Sequence, residues 1–405
     1  MAQSKILVGL EIGTSKTCMV VGEIRPDASA TIIGVGEVPS AGVRKGEIAD
    51  QSMARQCVRD AWQLAQDNAD VDILNVFLSV TGEHIEGESN TGSFRLPDDE
   101  DIIEEAHVDV AREKAEKIDL AADRFVVNRE LGGYQIDGNE PTQHPVGLSG
   151  RTLDVNCHIM HGIRTRLQNS LLCVRDVPLE VEELVFAPLA TAQMVLTRAQ
   201  KETGALLIDI GGGTTDFICY SGGDIVASGS IGVGGTTINQ DIVSLTEQRI
   251  NNRAAEVLKR TEGNAFGDVK DRSLAQYKSD LGMHDVSIPR GLLNRIIRDR
   301  LAETLLRVRD RIPREVLLRP GMSLYLSGGT SLMRGLDGLA HYIFNMPVHQ
   351  PAPMEPGHHN SYLADPRYCT AIGLIRFAQR YDDDAVTPSG DNWLARLLSI
   401  FRRGR

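Results

Sequence analysis

The sequence predicts an α/β protein of two similar halves around a shared cleft, with a separate subdomain inserted in the first half. Three observations predict it. An apolar strand (Ile6, Leu7, Val8) runs into Glu11-Ile12-Gly13-Thr14-Ser15 and out again through Met19, Val20 and Val21. The plan returns about 200 residues later, where Leu206-Leu207-Ile208 runs into Asp209-Ile210-Gly211-Gly212-Gly213-Thr214-Thr215-Asp216 and out through Phe217 to Tyr220. A third glycine turn, Leu326-Ser327-Gly328-Gly329-Thr330, follows the strand Ser323 to Leu326 and precedes a short helical pattern.

So wide an echo exceeds the period of any solenoid and marks two half-molecules. In register, Glu11 matches Asp209 and Gly13 matches Gly211, so each half opens with a hairpin that aims its turn at the cleft. Between the hairpins, Glu83 to Thr165 has a different character: Gly- and Asn-rich turns, an acidic helix over Asp98 to Ile118 and closing strands. Ile102, Ile103, Ala106, Val110, Ala111 and Ile118 are the helix's expected apolar positions. The last strand alternates, Leu153, Val155, Cys157 and Ile159 against Asp154, Asn156 and His158, which is the period of a half-buried strand. A second insertion runs from Thr237 to about Arg300, with a helix at Asn251 to Arg260, a polar stretch at Gly263 to Ser273 and a strand at Asp285 to Ile288. A long helix, Leu292 to Arg311, leads back into the second half. The compact fold is expected to end near Tyr381, and Asp382 to Asp391 reads as a flexible linker.

Length and composition set bounds. The 405 residues, 41% hydrophobic and 24% charged, are enough for a large core split between domains. The net charge of -12 disfavours general polyanion affinity, so any contact with anionic lipid must come from a local basic patch such as the one at the extreme C-terminus, and no nucleic-acid partner is expected. Met1 to Lys5 lacks an apolar leader region and no window reaches the roughly 18 apolar residues of a span, which predicts a cytoplasmic protein. The six cysteines are scattered without a Cys-x-x-Cys pair and read as reduced and structural. His158-x-x-His161 and His358-His359 have no Cys or carboxylate cluster beside them, and the first pair reads as exposed at a strand end, so neither is expected to bind metal.

The turns have the chemistry of a polyphosphate site, which needs converging backbone N–H donors and a metal ion held by carboxylates through water. Gly13, Thr14, Ser15, Lys16, Gly211, Gly212, Gly213, Thr214 and Thr215 are the candidate cradle, and Glu11 and Asp209 the candidate Mg2+-side carboxylates. Gly9 to Thr17 fails as a Walker loop because no Gly precedes Lys16, and no Gly-x-Gly-x-x-Gly opens a helix as a dinucleotide site requires. No carboxylate base facing a substrate pocket stands out, which disfavours a kinase.

These residues resemble the actin, sugar-kinase and heat-shock ATPase superfamily: Glu11 to Lys16 as first phosphate turn, Asp209 to Asp216 as second, Leu326 to Thr330 as adenosine turn. Within it the chain looks like the FtsA family of bacterial division proteins. The resemblance rests on Gly82-Glu83-His84-Ile85, Pro145-Val146-Gly147-Leu148-Ser149-Gly150, Ala255-Glu256-Val257-Leu258-Lys259 and the tail beginning at Trp393. It implies an actin-like two-lobed ATPase fold. Subdomain 1A would comprise 1–82, 166–197 and 360–381; 1C, the placement characteristic of this family, 83–165; 2A, 198–236 and 301–359; 2B, 237–300; and a membrane-targeting helix, 392–405.

The resemblance further implies ATP with Mg2+, with Gly234, Gly235, Glu256, Lys259, Gly328 and Gly329 on the nucleotide, and self-association into dimers or filaments. It implies that the C-terminal peptide of the tubulin-like FtsZ docks on 2B near Arg290, Arg295, Arg298 and Arg300, and that later division proteins are recruited. Glu11 stands where relatives usually carry Asp, which predicts slow or undetectable hydrolysis.

In the tail, Trp393, Leu394, Leu397, Leu398 and Phe401 fall in one helical arc, with Arg396, Arg402 and Arg403 outside it. Such a face, too short to span, suits anionic lipid on the cytoplasmic side of the inner membrane. The rival readings are a small-molecule kinase of the same fold and a PilM-like pilus-assembly scaffold.

Overall fold

The computed structural model describes residues 5–246, 250–277, 286–350 and 361–384. Two sheets share one plan. In the first, the strands run Glu180–Phe186, Asn75–Val80, Lys5–Ile12, Lys16–Ile24 and Ala30–Pro39; the first three are parallel and the rest antiparallel. In the second, Val348–His349, Ser323–Ser327, Ala205–Ile210, Thr215–Ser221 and Asp224–Ile231 repeat that order and polarity.

The match extends to single residues. Glu11 pairs with Cys18 across its hairpin and with Ser79 on the parallel neighbour, while Asp209 pairs with Asp216 and Ser327. Near-continuous apolar runs such as Leu206-Leu207-Ile208, all fully buried, are what parallel strands covered on both faces demand.

Helices cover these faces by close approach. The helix Gln51–Ala69, capped by the Asp50 side chain, lies on the strand Ala30–Pro39, where a Cβ on Gly36 would sit 1.9 Å from the Ala61 carbonyl oxygen. One hydrophobic core fills the first half and takes in Leu207 and Ile218 of the second sheet; another fills the second half around Ile208, Phe217 and Leu305.

The insertion forms a third core. Strands Glu86–Arg95, Arg124–Ile136 and Thr152–Ile163 make a sheet covered by the helix Glu105–Glu116, burying Val108, Ala111, Val155, Cys157 and Ile159. It joins the edge of the second sheet through Gly229 opposite Glu86. The helix starts later than the pattern predicts because Glu104 and His107 cap it reciprocally, while Arg151 ties the preceding loop through the carbonyls of Pro97, Asp98 and Glu100. Its buried stripe is His107, Val108, Ala111 and Ala115, leaving Ile102 and Val110 exposed.

The second insertion folds as helices Gly235–Leu245 and Asn252–Thr261, a small hairpin of Leu274–Tyr277 with Val286–Pro289, and the helix Arg290–Arg309. No helix among the described residues is long and apolar enough to cross a membrane.

Candidate nucleotide site

The two hairpin turns close identically, Gly13 N–H donating to Lys16 O and Gly211 N–H to Thr214 O, each at 2.9 Å. They meet across the cleft. A Cβ on Gly212 would lie 2.0 Å from Ser15 Oγ, and one on Gly213 2.2 Å from Thr14 Oγ1, so only glycine permits this approach. Gly328 closes the third side at φ 82°, with Asp209 Oδ1 2.3 Å from where its Cβ would stand.

Between the turns lies a cavity of about 830 Å3, within the range of small-molecule sites. Its lining includes Gly13, Thr14, Ser15, Lys16, Gly211, Gly212, Gly213, Thr214, Gly235, Glu256, Lys259, Gly328 and Gly329, together with both carboxylates, Glu11 and Asp209. Thr215 and Gly234 do not line it. Thr215 is buried and its hydroxyl donates to Val233 O at 2.8 Å, while Gly234 packs against the backbone of Gly211 and Gly212. Both shape the loop from behind.

A third carboxylate completes the acidic side. Asp216 lines the cavity and accepts hydrogen bonds from Thr81 Oγ1 at 2.6 Å and Thr214 Oγ1 at 3.2 Å, the first of which ties the two halves together. Sequence reading left it without a role, although its pairing opposite Asp209 puts both on one face of the hairpin.

Burial, then Asp216 and Glu11, push Asp209 up to about 7, against hydrogen bonds from Thr191 and Thr370. Burial pushes Asp216 up to about 6. Burial works against the charge on Lys16 as well, yet Glu11, 3.2 Å away, holds it above the ordinary lysine value. Three crowded carboxylates with one ammonium form an oxygen donor set that suits a hard divalent cation such as Mg2+.

At the far end, Lys259 Nζ donates to Gly235 O (2.9 Å) and Glu256 Oε2 (2.6 Å), and Asn239 Nδ2 donates to the same carboxylate at 2.7 Å. Burial lowers Lys259 despite Glu256. Asn239, Arg334 and Arg367 also line the cavity, and nothing in the sequence singled them out.

The four arginines of the second insertion separate into two kinds. Arg290 is engaged by Glu262 (2.6 Å) and Ser273, and Arg300 by Asp241 (2.6 Å) and Glu303. Arg295 is exposed, and among the described residues Arg298 is ion-paired with the neighbouring Asp299 at 3.6 Å. Trp393, Leu394, Arg396, Leu397, Leu398, Phe401, Arg402 and Arg403 lie outside the described residues, as do His358 and His359.

His158 and His161 are buried, not exposed, because both lie on the central strand of a three-stranded sheet, paired on either side. Two carboxylates, Glu86 and Glu88, do stand beside His161. However, Arg124 Nε donates to His161 Nδ1 at 2.7 Å, which leaves the ring proton on Nε2 and no lone pair facing those acids. Arg124 also pairs with Glu86 at 3.3 Å, so one of the two acids is already met by a cation.

The sequence model described as "Cell division protein FtsA" matches residues 206–373, and that described as "SHS2 domain inserted in FTSA" matches residues 82–161. The cell division protein FtsA of Neisseria meningitidis serogroup B is 32% identical over 98% of this chain and 97% of its own length. The chain belongs to the FtsA family. The FtsA of Escherichia coli K12 is 31% identical over 98% of both chains. Among solved structures, the PilM-PilN type IV pilus biogenesis complex superposes with TM-score 0.62 at 17% identity, covering 91% of this chain and 97% of that one. MreB5 of Spiroplasma citri bound to ADP gives TM-score 0.53 at 16% identity over 94% and 98%. The fold of this FtsA-family chain is therefore actin-like.

Proposed function

We propose that this chain is a cell-division protein that binds ATP with Mg2+ between its halves, self-associates in an actin-like manner and attaches FtsZ to the cytoplasmic face of the inner membrane. The observation that carries the reading is the likeness to FtsA proteins along nearly the whole chain, inserted subdomain included. The identity to the pilus protein is 17%, which argues for the fold and not for a pilus role.

In this reading the glycine turns at Gly13 and Gly211 to Gly213 cradle the phosphates through backbone N–H groups. Glu11, Asp209 and Asp216 would hold Mg2+ through water, and the ion would offset the negative charge these three carboxylates gather on one side of the cavity. Glu256 and Lys259 face the ribose, and Gly328 and Gly329 pass beneath the base. Glu11 is one methylene longer than Asp and its carboxylate is held by Lys16, so hydrolysis is slow.

The tail 392–405 supplies the lipid contact, and the inserted subdomain receives later division proteins. Arg295 and Arg298, one helical turn apart, are the cations left to meet an acidic FtsZ peptide, since Arg290 and Arg300 hold the subdomain together. Titrating a fluorescent FtsZ C-terminal peptide tests this. Arg295→Glu with Arg298→Glu weakens binding at least tenfold, with the melting temperature unchanged. Unaltered affinity would remove the peptide from this helix.

A further inference from the structure

The inserted subdomain carries an exposed apolar spot with an acidic rim. Ile102, Val146 and Leu148 are 54%, 49% and 45% exposed. Backbone bonds tie their two loops together, from Ile103 N–H to Leu148 O at 2.9 Å and from Gly147 N–H to Ile103 O at 2.8 Å. Asp98 to Asp101, Glu104 and Glu105 surround these loops and are exposed. Arg151 gives its Nη1 to three carbonyls of the same loop and so fixes the rim's shape.

The complementary chemistry is in the chain itself. Residues 392–405 combine Trp393, Leu394, Leu397, Leu398 and Phe401 with Arg396, Arg402, Arg403 and Arg405. The path to them starts beside the inserted subdomain: on the last described helix, Cys369–Asp384, Arg380 pairs with Glu130 at 3.1 Å. From Glu130 the strand Arg124–Ile136 runs about 20 Å, at 3.3 Å per residue, to Ile136, whose side chain would meet a Cβ on Gly150 beside the Val146 and Leu148 loop. Residues 385–391 alone span roughly 23 Å when extended, and the segment after them adds its own length.

We propose that residues 392–405 dock on the Ile102, Val146 and Leu148 spot of their own chain when no membrane is present. Membrane attachment then competes with this internal contact. Its consequence for attachment rests on the lipid-binding reading of the tail; the docking itself does not.

Two readouts on the full chain separate them. In dilute solution without vesicles, trypsin releases the segment after Arg396 at least threefold faster from an Ile102→Ser, Leu148→Ser variant than from the unaltered chain. The same variant binds phosphatidylglycerol vesicles at least threefold more tightly. Arg402→Glu with Arg403→Glu likewise speeds cleavage at Arg396 on an unaltered spot.

Equal cleavage rates in all three chains would overturn the docking. Protection that rises with protein concentration would assign the spot to a second copy's tail and overturn docking within one chain. If the spot variant is cleaved faster while no chain binds vesicles, the docking stands and the lipid reading falls.

Discussion

Asp216 bridges the halves, its carboxyl held by Thr81 of one half and Thr214 of the other. In the free protein its pKa is raised to about 6 from an ordinary 3.8, so the native state carries a penalty that grows as pH rises through that window. Asp216→Asn removes the penalty. Its free form is expected to be more stable by about 1–3 kcal/mol at pH 7.5, with most of the gain lost by pH 4, close to the unfolded value of 3.8. Urea denaturation at the two pH values checks this, and equal stability at pH 7.5 would contradict it. At this scale Gly13 and Gly211 to Gly213, with Glu11 and Asp209, were legible as lining one cleft, because the same turn recurs in both halves. Asp216 was not assigned, since a residue one strand past a turn shows its facing only through the register. The cations at the far end, Arg334 and Arg367, come from remote parts of the chain and left no local pattern.

Elements pack here by backbone approach as much as by side-chain bulk. Gly36 admits the helix Gln51–Ala69 so closely that any Cβ would strike the Ala61 carbonyl at 1.9 Å. Gly36→Val therefore costs about 3 kcal/mol or more, read as a lowered denaturation midpoint; a change under about 1 kcal/mol would mean the helix can shift.

The inserted sheet is fastened to the second half by His158, whose ring nitrogens stand 2.9 Å from Ser89 Oγ and 2.8 Å from Ser228 Oγ. Burial holds it down to about 4, and His84 likewise, with burial the largest cause. A histidine kept neutral in the folded state gains no proton until well below the unfolded value, so stability is full above pH 6.5 and is lost as pH falls toward 4. His158→Gln is expected to flatten this slope between pH 6.5 and 5, followed by thermal melts; a slope unchanged by the substitution would count against it. The strand alternation that placed Leu153 to Ile159 in the core was readable. The polar face opposite was misjudged at His158, because a second layer covers it and only tertiary structure shows that layer. The acidic helix was misread in extent for a similar reason, its start being set by the Glu104 and His107 cap and the Arg151 clamp rather than by its apolar pattern.

Across the molecule, the duplicated sheet explains why one short echo in the sequence disclosed so much of the architecture. Two strands and a turn in each half fix the register, and the parallel neighbours then fall opposite Glu11 and Asp209 at Ser79 and Ser327. What lay beyond the sequence is how the inserted subdomain joins the second half, since that junction is made by residues far apart in the chain: Gly229 with Glu86, His158 with Ser228, Gly133 N–H with Asp224 and Arg307 with Glu83.

The central claim is that this molecule carries FtsZ to a membrane in an ATP-dependent way. Co-sedimentation of FtsZ with anionic liposomes, in the presence of this protein, Mg2+ and ATP, tests it most directly. The account predicts that FtsZ pellets with the intact chain and stays in the supernatant with a Trp393→Glu, Phe401→Glu variant. FtsZ remaining in the supernatant with the intact, ATP-bound chain would contradict it, leaving the actin-like fold without the adaptor role.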